Sequence, residues 1–219
     1  MKSLHFLFLS LIAFFALTSC EEIQQKNVSP TEILADSTFD NHSYSNVHQI
    51  RTKHLHLDID VNFDNKTIYG VARHEMVNNG TDTAIFDIKG LKIQKITIGK
   101  TKEKETSFMI GQWDKDSILG QPLLVKVDRT TTYVNIYYQT TDATEAIDWL
   151  SPELTAGKEF PYMYTQGEAI LTRSWIPLQD SPANRITYSA KVKVPKDLMA
   201  VMSAENPTKK NDEGIYEFQ

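Results

Sequence analysis

Cysteine is almost missing from this chain of 219 residues: Cys20 stands alone, so no internal disulfide can staple the fold. Lys and Arg number 23 against 28 Asp and Glu, for a net charge of −5, and no basic stripe interleaves with aromatics. That balance excludes a nucleic-acid binder that grips the phosphate backbone. There is no G-x-S-x-G elbow, no phosphate loop and no Cys/His pair, which removes the common covalent and phosphoryl-transfer chemistries. Helical periodicity is scarce as well. After the first twenty residues no stretch of ten or more repeats its apolar residues every 3.6 positions, so little helix is expected.

The one long apolar run, Leu4 to Leu17, follows Lys2 and is broken only by His5 and Ser10. It is shorter than the roughly 20 residues that cross a bilayer as a helix and reads as a signal peptide over 1–19. Its end, Leu17-Thr18-Ser19-Cys20, resembles the bacterial lipobox, whose cysteine is lipidated and becomes the new N-terminus. A lone cysteine with no disulfide partner agrees with that role. The expectation is a protein lipid-anchored at Cys20 to a membrane of the bacterial cell envelope, outside the cytoplasm, because acyl chains hold a protein at about 0.8 kcal/mol per buried methylene.

Residues 20–47 are polar and aperiodic, as in a flexible linker, and 48–219 read as one domain large enough for a single core. In 53–63 Leu55, Leu57, Ile59, Val61 and Phe63 alternate with polar residues, the mark of a half-buried strand. A second strand over 67–77 ends at Asn79-Gly80, a tight-turn pair. Further strands are expected at 84–88, 91–98, 123–127, 133–139, 169–176, 186–194 and 199–203. Short strands at this spacing predict an all-β protein, an antiparallel or mixed β-sandwich. The last residues look like a strand being entered, and stopping at Gln219 is expected to reflect truncation.

Residues 161–182, PYMYTQGEAILTRSWIPLQDSP, carry the most specific pattern: Gln166-Gly167-Glu168-Ala169 followed by Arg173, Pro177, Asp180 and Pro182. With HLHLDIDVNFDNKTIYG upstream, this closely resembles the N-terminal region of gluzincin zinc aminopeptidases of the aminopeptidase N and leukotriene A hydrolase type. The resemblance implies a saddle-like β domain. It also implies that Glu168 faces the cleft and binds the free α-amino group of a peptide, with Gln166 lining the same wall. A carboxylate facing an ammonium is a contact that an internal peptide bond cannot offer. Leukotriene hydrolases have glutamine where Glu168 stands, so the glutamate favours peptides. Arg173, Asp180 and Pro182 are expected to be structural, with Asp180 capping backbone N–H groups.

The resemblance further implies zinc in the full-length enzyme, held by H-E-x-x-H on a helix, and a downstream catalytic domain as partner. This chain has no such motif and is expected to bind no metal and to have no catalytic residue of its own. His74-Glu75 begins a near match, but the second histidine is absent and the segment reads as strand. His54 and His56 share one strand face, as do Asp58 and Asp60, and both pairs are expected to be ordinary surface. The leading function is the substrate-recognition domain of a membrane-tethered zinc aminopeptidase, inactive alone. The alternative is a non-catalytic, lipid-anchored β-sandwich binding module. A weaker third reading, a sugar-binding lipoprotein, rests on Trp113, Trp149 and Trp175, which are far apart in sequence.

Overall fold

The computed structural model describes residues 40–219; the signal segment, Cys20 and most of the expected linker lie outside the described residues. Twelve strands follow in order: β1 (Ile50–Asn62), β2 (Thr67–Asn78), β3 (Thr83–Ile88), β4 (Lys92–Ile98), β5 (Lys104–Glu105), β6 (Phe108–Ile110), β7 (Gln121–Lys126), β8 (Tyr133–Gln139), β9 (Ile147–Leu150), β10 (Tyr162–Thr165), β11 (Thr187–Lys193) and β12 (Ile215–Phe218). The helices among the described residues are two single 3-10 turns, Pro152–Leu154 and Thr172–Ser174. The fold is all-β, as the spacing of short apolar runs predicts.

A seven-stranded sheet runs β12-β11-β1-β2-β8-β4-β5, a three-stranded sheet runs β3-β7-β6, and β9 pairs with β10 alone. The large sheet is mixed because β1 runs parallel to β11 while its hairpin partner β2 is antiparallel. Gly80 closes the β2–β3 turn at φ 99°, a conformation that favours glycine, and its N–H donates to Asn78 Oδ1.

Register gives the large sheet one apolar and one polar face. Leu55, Leu57, Ile59 and Val61 of β1 lie level with His74, Ala72, Gly70 and Ile68 of β2. Ala72 in turn is level with Ile136 of β8, and Leu57 with Ala190 of β11. These side chains form one buried cluster with Phe86 and Ile88 of β3 and Leu123 and Val125 of β7, so the three-stranded sheet covers one part of the apolar face. The β9–β10 pair covers another, where Trp149 meets Phe63 edge-on at 5.3 Å. Each fully buried Leu, Ile or Phe contributes about 1.5–3 kcal/mol. The opposite face carries His54, His56, Asp58 and Asp60. The two histidine rings bond the hydroxyls of Thr187 and Ser189 across the parallel pair, at 2.7–2.9 Å.

Two expected strands differ. Residues 169–176 are a turn and a 3-10 helix, because hydroxyls compete with a ladder: Ser174 Oγ donates to the Leu171 carbonyl at 2.7 Å. Residues 199–203 keep the in-out alternation of a strand but pair with no other strand among the described residues. Within the residues read as linker, Asn46 is buried and bonds both Thr83 O and Ile85 N–H, pinning this stretch to β3.

Candidate substrate-binding site

The segment carrying Gln166 and Glu168 crosses the apolar face of the large sheet between the two small sheets. Its start is fixed to β9, since the Gln166 N–H donates to Ala146 O at 2.8 Å and continues the β9–β10 ladder. At Gly167 a Cβ would lie 2.3 Å from Thr172 Oγ1, so any larger residue here would force the Thr172 hydroxyl to move. The Leu171 N–H closes this turn onto Gly167 O at 2.9 Å. The Glu168–Ala169 peptide bond is cis. Gln166 and Glu168 thus share one exposed loop at the end of β10. None of the seven ion pairs among the described residues uses Glu168.

The 3-10 turn that follows the loop carries Arg173, the centre of a buried polar hub. Arg173 is fully buried; its Nε donates to Asp180 Oδ2 at 3.1 Å, Nη1 to Leu119 O at 2.9 Å, and Nη2 to His42 O at 2.7 Å and Asp180 O at 2.9 Å. Asp180 Oδ2 also accepts the Arg173 backbone N–H, so it caps the turn as expected. Asp87 of β3 lies 3.7 Å from Nη1 and accepts from Ser43 Oγ, the Tyr44 N–H and the Asp180 N–H at 2.6–3.0 Å. Burial pushes the Asp87 carboxyl above its usual range, against the opposing pull of Arg173 and these donors. Asp87 escaped sequence reasoning because it is one polar residue in an apolar strand, with no motif to mark it.

Downstream, Gln179 bonds the β1 backbone through the Thr52 N–H and Ile50 O, both at 2.8 Å. His74 takes the next tie: its Nε2 lies 3.0 Å from Pro177 O and its Nδ1 3.1 Å from Thr52 Oγ1. Because a carbonyl only accepts, Nε2 carries the proton and Nδ1 accepts from Thr52. The ring is fully buried against Phe86, 4.8 Å away, and desolvation lowers its pKa from 6.5 to about 4. The unfolded chain therefore binds a proton below about pH 6.5 that the folded chain refuses until about pH 4. Stability is complete above that window and falls by about 3 kcal/mol across it, at 1.36 kcal/mol per pKa shift of one. Urea midpoints taken from about pH 7 to about pH 4 should show this loss, and His74→Gln should flatten the slope.

Among the described residues no three His, Cys, Asp or Glu side chains are grouped to hold a metal ion. His74 has both ring nitrogens occupied in the core, and Glu75 lies on the opposite sheet face, paired with Lys53 at 3.0 Å. The described residues do not fit zinc. Of the tryptophans, Trp149 and Trp175 pack against the core while Trp113 is exposed, so they form no common platform.

Residues 44–219 match the family model described as the Peptidase M1 N-terminal domain. The chain belongs to the M1 peptidase family. It is 33% identical over 169 residues to leukotriene A-4 hydrolase of Xenopus laevis, and 30% identical over 169 residues to leucine aminopeptidase 2 of Sclerotinia sclerotiorum. Each alignment covers 74% of this chain and 27% of the relative, so the chain spans about a quarter of the curated relatives' length. Native leukotriene A-4 hydrolase from Saccharomyces cerevisiae superposes with a TM-score of 0.72 at 27% identity, over 87% of this chain and 31% of that one. An M1 zinc metallopeptidase from Deinococcus radiodurans bound to Tyr-Ser-Ala shares the fold, with a TM-score of 0.53 at 13% identity over 78% of this chain and 38% of that one.

Proposed function

We propose that this M1 N-terminal domain forms the amine-binding wall of a membrane-tethered zinc aminopeptidase. The observation that carries the reading is Glu168: an exposed carboxylate without a cationic partner among the described residues, on a loop tied to β9 at Gln166 and leading into the 3-10 turn that Arg173 anchors. The protonated α-amine of a peptide is the partner such a carboxylate accepts, and the charge-assisted bond distinguishes a chain end from an internal peptide. Gln166, on the same loop, offers an amide to the first residue's backbone. The M1 relatives named for aminopeptidase activity, and the one bound to Tyr-Ser-Ala, support a peptide substrate.

Zinc and the hydrolytic groups belong, on this reading, to the part of the M1 enzymes that this chain does not span. Recognition is what these residues contribute. Tethering rests on Cys20, lipidated after removal of 1–19, which would place the enzyme on the cell envelope. The test compares the chain with the longer product of its gene. The chain alone should bind no stoichiometric zinc and release no chromophore from an aminoacyl substrate. The longer product should hydrolyse it and be stopped by a chelator. Chelator-sensitive turnover by the chain alone, or none by the longer product, would overturn the assignment.

A further inference from the structure

Both ends of the recognition loop, Gln166 to Leu171, are tied to one buried residue, Ala146, at the entry to β9. At the first end the Gln166 N–H donates to Ala146 O at 2.8 Å. At the other end Ser174 stands between the two. Its Oγ donates to Leu171 O at 2.7 Å and accepts the Ala146 N–H at 3.1 Å and the Glu145 N–H at 3.3 Å. A hydroxyl has one proton and two lone pairs, and a carbonyl only accepts, so these bonds use everything the Ser174 side chain offers. Ser174 is fully buried, where water cannot replace a lost partner. Glu168 lies between the two ends, exposed. The first hold is backbone to backbone and survives any substitution, whereas the second passes through the Ser174 hydroxyl.

We propose that Ser174 is a positioning residue: its hydroxyl closes the loop onto Ala146 and so fixes where the Glu168 carboxylate meets a substrate amine. The inference rests on the amine-binding reading of Glu168 given above. Ser174 is buried and acts through the loop's backbone rather than by touching substrate. Its neighbour Arg173 has a different task, since the bonds of that guanidinium run to His42, Leu119 and Asp180, none of them on the loop. Without the hydroxyl, the Glu145 and Ala146 N–H groups lose their acceptor and the Leu171 end is free to shift. A displacement of about 1 Å in a group that positions substrate can cost as much as 100-fold, so a loosened end is felt at Glu168.

Ser174→Ala tests this in two settings. In the chain itself, amide exchange at Ala146 and Leu171 should speed at least about 10-fold while Ile136 in β8 keeps its rate. Unchanged exchange at those two amides, or an equal rise at Ile136, overturns the proposal. In the longer product, KM for a free tripeptide should rise about 10-fold with kcat held within about twofold. Added to Glu168→Ala, the same substitution should change KM little, because both act on one contact. An unmoved KM, a loss that falls on kcat instead, or a KM rise as large without Glu168 as with it overturns the proposal. Ser174→Cys keeps a weak donor and acceptor in place and should recover part of both effects; recovery of neither counts against the hydroxyl's role and overturns it too. Glu168→Ala alone separates the two ideas. If it leaves KM unchanged, the amine-binding reading falls and takes the role of Ser174 with it; if it raises KM, any failure above removes only Ser174.

Discussion

Glu168→Ala in the longer enzyme is expected to cut kcat/KM for unblocked peptides by about 10- to 100-fold. Removing a charge-assisted hydrogen bond costs about 1.5–3 kcal/mol, and each 1.4 kcal/mol is tenfold. The loss should fall mainly on KM, because the ammonium meets the carboxylate in the ground state as well as the transition state. Zinc content should be unchanged, since no described residue around Glu168 is grouped as a metal ligand. Steady-state kinetics with a tripeptide series, beside metal analysis, checks both statements. An unaltered kcat/KM would remove Glu168 from the site.

Arg173→Met is expected to destabilise the domain by about 3–5 kcal/mol, the cost of leaving buried partners of a charge uncompensated. Three elements lose an anchor at once: the 42–44 segment through His42 O, the loop before β7 through Leu119 O, and the stretch before β11 through Asp180. Asp87, fully buried, would face no cation. Against the 5–15 kcal/mol of a typical domain, the loss brings the chain near unfolding at ordinary temperature. The urea midpoint measures it. Arg173→Lys should recover only part, since an ammonium keeps the charge but not the planar fork that reaches Asp180, Leu119 and His42 together. A midpoint unchanged in Arg173→Met would show that the hub does not anchor the domain.

Local patterns were legible where neighbours in sequence are also neighbours in energy. The period-two run from Leu55 to Val61 specifies a half-buried strand whatever lies across from it, and Asn79-Gly80 closes the β2–β3 turn through Gly80. The stretch 169–176 misleads because Ile170, Leu171 and Thr172 have the composition of a strand. Its fold is set instead by Arg173 reaching carbonyls 54 and 131 residues away, which no local window contains. At 199–203 the alternation is right, but a ladder also needs a partner strand. The short pair β9 and β10 is held by a register across a turn-rich stretch with Pro152 and Pro161, and gives no periodic signal of its own. Gln166 and Glu168 are singled out by motif alone; the structure places both on one exposed loop at the end of β10.

On the proposed function, Glu168 reads the end of a peptide chain. The most direct measurement is the ratio of kcat/KM for a free tripeptide to that for its N-acetylated form, in the longer enzyme with Glu168 and with Glu168→Ala. The ratio should be large with Glu168 and collapse by about 10- to 100-fold in the variant, because acetylation removes the charge that this carboxylate binds. A ratio that survives the substitution intact would contradict it.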